Sequence, residues 1–224
     1  MTSEAVRVEP VETVLFDLDG TLSDSAPGIL DSLRYAFAEH GLEALSPAEE
    51  RSLLGPPFYE TLPPIVGPAR LDSVIAAYRE RYSGSGMFDT VAYPGVAELV
   101  AALRLRGIRL AVATSKPELY ATRIVEHLGL GGAFETICGD TLDGARCSKA
   151  AVIGEALYRL GEPRPATVLM VGDRVQDVRG AAEHGIACLG AGWGYGTPLE
   201  LAAARASFAT PAALLAALPE LLAG

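Results

Sequence analysis

The chain has 224 residues, half of them hydrophobic, and carries 18 basic against 28 acidic side chains for a net charge of −10. That length holds one good core, or one core with a small second module, and the acidic balance argues against a nucleic-acid backbone binder, which needs a basic face. Three cysteines at irregular spacing (Cys138, Cys147 and Cys188) offer neither a disulfide framework nor a zinc site, so free thiols are expected.

The first expected strand is the apolar run at 13–16. From 25 to 90 the patterns are helical, with no convincing strand. Ile29, Leu30, Leu33 and Phe37 fall on one helical face, and Leu71, Val74, Ile75, Tyr78 and Tyr82 on another. Pro47, Pro56, Pro57, Pro63 and Pro64 punctuate this stretch. It reads as a helical module inserted after the first strand, with exits at 23–27 and 91–95 that make a natural hinge; extra helices packed on the sheet without motion are the plain alternative. Beyond it, helical patterns at 96–106, 118–128, 149–160 and 176–184 alternate with apolar runs at 110–113, 168–171 and 186–189. Short runs that are apolar throughout suit strands covered on both faces, and strand–helix alternation builds βαβ units. The expected class is α/β: a doubly wound parallel sheet from residues 1–23 and 92–224, interrupted by the helical module at 24–91.

In such a sheet ligands bind beyond the carboxyl ends of the strands. The first strand ends in Phe16-Asp17-Leu18-Asp19-Gly20-Thr21-Leu22. Carboxylates two residues apart leave a strand on the same side. They repel, and a cation or a shared proton makes the pair tolerable; a divalent metal would do so and would also attract phosphate. An Asp-Gly surface turn is the plain alternative, but it gives no reason for Asp17 to follow a buried run directly.

The run at 168–171 leads into Gly172-Asp173-Arg174-Val175-Gln176-Asp177, with two acids four apart at a helix start. Favourable placement at the helix N-terminus explains either one alone. A second carboxylate cluster at a second strand end tips the balance, because four carboxylates at one rim need a metal. Thr114-Ser115-Lys116-Pro117 follows the run at 110–113. Hydroxyls and backbone N–H groups at a helix start can bind an anion, and ordinary capping explains the same residues fully. Lys149 in a first turn works against the helix dipole, so phosphate binding and a solvated surface lysine stand about level. His40, His127 and His184 lie late in expected helices, where they partner the dipole rather than catalyse.

Together, Asp17-Leu18-Asp19-Gly20-Thr21-Leu22, Thr114, Lys149, and Gly172-Asp173 with Asp177 resemble the four motifs of the haloacid dehalogenase-like hydrolase superfamily, in order and spacing, over nearly the whole chain. Ala113-Thr114-Ser115-Lys116-Pro117, Leu54-Gly55-Pro56-Pro57 and Gly192-Trp193-Gly194-Tyr195-Gly196 are most similar to its phosphoglycolate phosphatase-like and bacterial 5′-nucleotidase-like group. The resemblance implies a Rossmann-like core with an α-helical cap domain inserted after the first motif, and a Mg²⁺-dependent phosphomonoester hydrolase. It implies that Asp17 attacks phosphorus to form an aspartyl-phosphate. Asp19 would protonate the leaving alcohol and then activate water. Mg²⁺ would be held by the Asp17 side chain, the Asp19 carbonyl oxygen and Asp173, with Asp177 behind them. Thr114, Ser115 and Lys149 would bind phosphoryl oxygens.

Arg174 stands where many relatives have an acidic or small residue, and reads as a mark of the nucleotidase-like group. The implied substrate is a small phosphorylated metabolite such as phosphoglycolate or a nucleoside 5′-monophosphate, selected by cap residues near 54–59, Phe58 and Tyr59 among them. A sugar phosphomutase of the same fold and a non-catalytic binding protein are the alternatives. A dehalogenase is disfavoured, because that branch lacks the second aspartate. The expected partner is the substrate alone, with no nucleic-acid polymer and no membrane, and the chain is expected to be a cytoplasmic monomer or homodimer. The polar, acidic segment 1–10 is not read as a signal peptide.

Overall fold

The computed structural model describes residues 9–222. The N-terminal segment read as polar and acidic therefore lies, but for its last two residues, outside the described part. Strand β1 (Thr13–Phe16) is followed by a two-residue strand β2 (Ser23–Asp24) and five helices: α1 (Ala26–Glu39), α2 (Pro47–Ser52), α3 (Phe58–Thr61), α4 (Pro63–Val66) and α5 (Leu71–Gly84). The chain returns through β3 (Val91–Ala92), which pairs antiparallel with β2. Then come α6 (Val96–Leu105), β4 (Arg109–Pro117), α7 (Glu118–His127), β5 (Thr136–Asp140), α8 (Lys149–Arg159), β6 (Val168–Gly172), α9 (Val175–Glu183), β7 (Ala187–Ala191), β8 (Ala206–Phe208) and α10 (Pro211–Leu222).

Six strands form one parallel sheet in the order β5-β4-β1-β6-β7-β8. Strand β1 is central because its four residues are buried and bonded on both edges. Phe16 lies opposite Val112 of β4 and Val171 of β6. The period-two alternation of strand side chains divides each apolar run between two cores. Val14 and Phe16 pack with Leu110, Val112, Leu169 and Val171 under α6, α7 and α10. Leu15 packs with Ala111, Ala113, Val168 and Met170 under α8 and α9. This is why the runs read as continuously apolar: both faces are covered. A third cluster, built on Leu33, Phe37, Leu62, Val74 and Ile75, lies wholly within the helical insert between β2 and β3. Cys138 and Cys188 are buried free thiols and Cys147 is an exposed one. Among the described residues, no helix is long and apolar enough to cross a membrane.

The structure adds elements that the sequence pattern does not announce. Strand β5 is Thr-Ile-Cys-Gly-Asp, whose mixed polarity fits an edge position. Strand β8 has only three residues, none of them buried. Helix α10 is so rich in Ala and Leu that no polar face marks its period. Strand β4 also runs past Ala113 to Pro117, with a register irregularity between those two residues. Thr114, Ser115 and Lys116 are thus an irregular strand end and not the start of a helix, and α7 carries no side-chain cap bond at Pro117. The capping account of Thr114 and Ser115 fails for that reason.

Leu15 has no exposed surface and lies at the middle of the central strand. Leu15→Ala is expected to cost about 2–5 kcal/mol of unfolding free energy through lost contacts and a residual cavity, read from the midpoint of a urea titration.

Candidate active site

The end of β1 delivers Asp17 to the carboxyl edge of the sheet. Its backbone N–H continues the ladder to Val171 O at 2.9 Å, so its position is fixed by the strand itself. Asp173 follows the end of β6 and is fully buried, as is Asp177 in the first turn of α9. Each of the three offers a carboxylate oxygen within 4.8 Å of the others. Lys149, the first residue of α8, enters this cluster. Its Nζ lies 2.8 Å from Asp17 Oδ1 and 2.8 Å from Asp177 Oδ1, and donates to Ala113 O at 3.1 Å. Both contacts are ion pairs at hydrogen-bond distance, and the two oxygens have no other partner.

The electrostatics follow from burial. Desolvation pushes Asp17 up to about 6; Lys149 opposes this and Asp177 adds to it. Desolvation also pushes Asp173 well above the usual carboxylate range, with Asp177 and Asp17 reinforcing it. Burial alone would discharge Lys149, but Asp17 and Asp177 hold it above its ordinary value. Three carboxyl groups share one cation in a dry place, and a second positive partner is needed for all three to ionise together.

Asp19 turns the other way. Its Oδ2 lies 2.9 Å from Lys116 Nζ, and its Oδ1 is buried without a hydrogen-bond partner. Lys116 also donates to the Tyr82 hydroxyl of α5 at 2.7 Å. Thr114 is buried in β4, where its hydroxyl accepts from Lys116 N at 3.3 Å. A cavity of about 150 Å³ opens at this point between sheet and insert, lined in part by Asp19, Ser115, Lys116, Phe58, Tyr59 and Tyr78. Phe58 meets Tyr78 edge to face with ring centroids 4.7 Å apart, and Arg79 lies over the half-exposed Tyr59 ring at 5.7 Å.

The loop after β7 closes the opposite flank. Tyr195 N donates to Asp173 Oδ2 at 2.8 Å and Gly196 N to the same oxygen at 3.3 Å. The Tyr195 hydroxyl accepts from Ser25 N and Ala26 N, at 2.8 and 2.9 Å, and donates to Asp24 Oδ1 at 3.0 Å. One residue thus ties the acidic cluster to the entrance of the helical insert. Close approach explains the glycines here. A Cβ on Gly20, which also has φ +82°, would strike the Asp173 carboxylate, and one on Gly194 would strike Gly20 O.

Arg174 is occupied: Nε donates to Glu200 Oε1 at 2.9 Å and Nη1 to Leu54 O of the insert. Asp177 also does the helix-end work that sequence allows, with Oδ2 accepting from Arg174 N at 2.9 Å. The sequence reading gave no role to Lys116, Tyr82 or Tyr195. Lys116 sits in a segment where the hydroxyls and backbone N–H groups draw the attention, Tyr195 in one marked only by its likeness, and Tyr82 on a helix's apolar stripe.

Comparison with known proteins fits this geometry. The model of a family described as haloacid dehalogenase-like hydrolase matches residues 14–191. The chain belongs to this family. The 5′-nucleotidase of Pseudomonas aeruginosa is 38% identical over 192 residues, covering 85% of this chain and 86% of that protein. The tyrosine-protein kinase PtkA of Mycobacterium tuberculosis is 45% identical over 188 residues, 84% of this chain, yet the match spans only 64% of that protein's length. The crystal structure of a "predicted phosphatase" from Clostridium acetobutylicum superposes with a TM-score of 0.89 at 32% identity, covering 95% of this chain and all of that one.

The residues of this site suit a hard divalent cation. Asp17, Asp173 and Asp177 bring three buried carboxylates together. Asp17 Oδ1 and Asp177 Oδ1 are buried with no partner beyond the shared Lys149 ammonium, which leaves acceptor lone pairs for an ion. An all-oxygen anionic donor set of this kind is what Mg²⁺ takes. Chemically, the arrangement offers two carboxyl groups two residues apart beyond the end of β1, each beside a buried ammonium group.

Proposed function

We propose that this protein is a Mg²⁺-dependent phosphomonoester hydrolase working through an aspartyl-phosphate. The observation that carries the reading is the pair of carboxyl groups leaving β1. Asp17 is grouped with the acidic cluster and Lys149, while Asp19 is held apart by Lys116. Two carboxyls in two environments suit two roles. Asp17 attacks phosphorus in line with the departing alcohol. Lys149, with Thr114 and Ser115, holds phosphoryl oxygens and offsets their charge. Asp19 gives its proton to the leaving oxygen, then takes one from the water that opens the acyl phosphate. Asp17, Asp173 and the Asp19 carbonyl would hold Mg²⁺, with Asp177 supporting them and orienting Lys149. When bound, the ion supplies positive charge to the phosphoryl oxygens and to the three-carboxylate cluster.

Residues 24–91 act as a cap over the sheet, as the β2–β3 ladder and the insert's own buried cluster suggest. The substrate is a small phosphorylated metabolite such as phosphoglycolate or a nucleoside 5′-monophosphate, with the leaving group in the cavity beside Asp19. The protein acts in the cytoplasm on this small molecule, with no nucleic-acid polymer as substrate. The deciding experiment is phosphate release from a panel of phosphomonoesters, with Mg²⁺ and with EDTA. Release at least 100-fold faster with Mg²⁺ is expected, roughly the loss that follows removal of a principal charge-stabilising group. Equal release in EDTA would sink the metal assignment. No release from any ester would sink the phosphatase reading, and would leave a sugar phosphomutase or a protein-directed phosphotransferase to be assayed.

A further inference from the structure

The proposed chemistry gives a task to Lys149 and none to the second buried cation, Lys116. Its side chain is 6% exposed, and a buried ammonium is unfavourable unless its donors are matched. Nζ lies 2.9 Å from Asp19 Oδ2, donates to the Tyr82 hydroxyl at 2.7 Å, and sits 4.6 Å from the centroid of the same ring. Three segments meet in this contact: the loop after β1, the end of β4, and α5 of the insert. Tyr82 is itself fixed, stacked on Tyr78 at 5.3 Å and edge-on to Tyr120 at 5.9 Å.

The grip on Asp19 is one-sided. Oδ2 is held, whereas Oδ1 is buried and unpartnered. Asp19 also lines the cavity assigned to the leaving group, together with Ser115 and Tyr120. Holding one oxygen fixes the carboxyl plane, and so fixes where the other oxygen points.

We propose that Lys116 is a positioning residue that aims the free oxygen of Asp19 at the leaving-group oxygen, and that Tyr82 makes this aim conditional on the helical insert being seated. The inference rests on the phosphatase reading. Its physical basis is the fixed geometry around one ammonium group. With α5 in place, the Tyr82 hydroxyl and ring hold the ammonium at one point, from which it bonds Asp19 Oδ2 in one orientation. With α5 withdrawn, water reaches Lys116, the pair weakens, and the Asp19 side chain regains rotamers. A misaimed acid loses the near-attack geometry on which proton transfer depends. In the step served, the bond from Asp17 to phosphorus forms as the bond to the alcohol oxygen breaks. The proton of Asp19 moves to that oxygen, and the resulting carboxylate stays paired with Lys116. Closure of the insert is thereby read at the acid itself, and an open enzyme is a poor catalyst for esters whose alcohol must be protonated to leave.

The test uses the whole protein with Mg²⁺, an alkyl phosphate and p-nitrophenyl phosphate, whose phenolate departs without a proton. In a two-step mechanism kcat/KM reports only as far as departure of the alcohol. Lys116→Met is expected to lower kcat/KM about 100-fold for the alkyl ester and under about 5-fold for the aryl ester. Tyr82→Phe keeps the ring and removes the hydroxyl; the expected losses are roughly 5-fold and under roughly 2-fold. Equal losses on the two esters would overturn the inference and make Lys116 a substrate-binding or structural cation. Should Lys116→Met fail to fold, the same comparison on Tyr82→Phe decides. A wild-type protein inactive on every ester overturns the phosphatase reading and this inference with it. An active wild type with equal mutant losses overturns this inference alone.

Discussion

Asp17→Asn is expected to lower phosphate release by about 10⁴-fold or more while raising the melting temperature of the metal-free protein. The first effect is the loss of the attacking oxygen, since an amide is no nucleophile toward phosphorus. The second comes from electrostatics. Burial raises the Asp17 carboxyl from 3.8 to about 6, with Lys149 opposing and Asp177 adding. A carboxyl whose folded pKa is raised makes the folded state bind more protons than the unfolded one between those two values. Stability contributed there is present at low pH, and is lost as pH rises from about 4 through about 6. Asparagine mimics the protonated form at every pH. The variant should therefore melt higher than wild type at pH 8, by roughly 5 °C, and close to wild type at pH 4. Saturating Mg²⁺ should shrink the gap, because a bound cation relieves the same repulsion in the wild type. Undiminished turnover by a folded variant would refute the nucleophile assignment. A variant that melts lower at pH 8 would refute the account of the cluster as a strained set of anions.

Lys149→Met is expected to be the single change at the site that costs the most stability. The ammonium is the nearest positive charge to Asp17 and Asp177, at 2.8 Å from each, and its own side chain is only 4% exposed. Breaking a buried pair by removing one partner leaves uncompensated charge, which costs about 3–5 kcal/mol and lowers the melting temperature by roughly 10 °C for a domain of this size. Activity should fall at least 100-fold as well, since the group that neutralises phosphoryl charge is gone. The double variant Lys149→Met/Asp17→Asn separates the causes. Residues in contact do not add: with Lys149 gone, Asp17→Asn should stabilise the protein more than it does in the wild type, where it also gives up the attraction to Lys149, and it should restore no activity. Equal gains from Asp17→Asn in the two backgrounds, read by denaturant titration, would show that Lys149 contributes to stability through packing rather than through charge. Restoration of stability by Mg²⁺ in the single variant would place the ion among the same carboxylates.

Much of the core was legible in the sequence because local rules govern it. Short apolar runs bounded by Gly, Asp or Thr could only be strands covered on both faces, and the alternation with helices fixed a parallel sheet. Asp17, Asp173 and Asp177 could be singled out because strand ends in such a sheet carry its chemistry, and their convergence at one rim follows from β1 and β6 being neighbours. Where several local explanations were equal, the sequence could not choose. Lys149 was balanced between a phosphate ligand and a surface lysine, and only its depth between two carboxylates decides against the latter. Thr114 and Ser115 looked like a helix cap, and only the irregular extension of β4 to Pro117 removes that account. Strand β5 was hidden because an edge strand needs little apolar pattern, and α10 because a helix without a polar face has no visible period.

What the sequence by itself determined was therefore the layered α/β class, the helical interruption after the first strand, and the acidic residues at strand ends, all set by period and spacing along the chain. What only the tertiary structure decided was pairing across long separations: Lys116 with Asp19 and Tyr82, Tyr195 with Asp173 and the entrance of α1, Arg174 with Leu54. The reason is physical. A buried charge is tolerable only beside its counter-charge, but nothing in a residue's immediate neighbours tells which distant segment will bring that partner into the same dry volume.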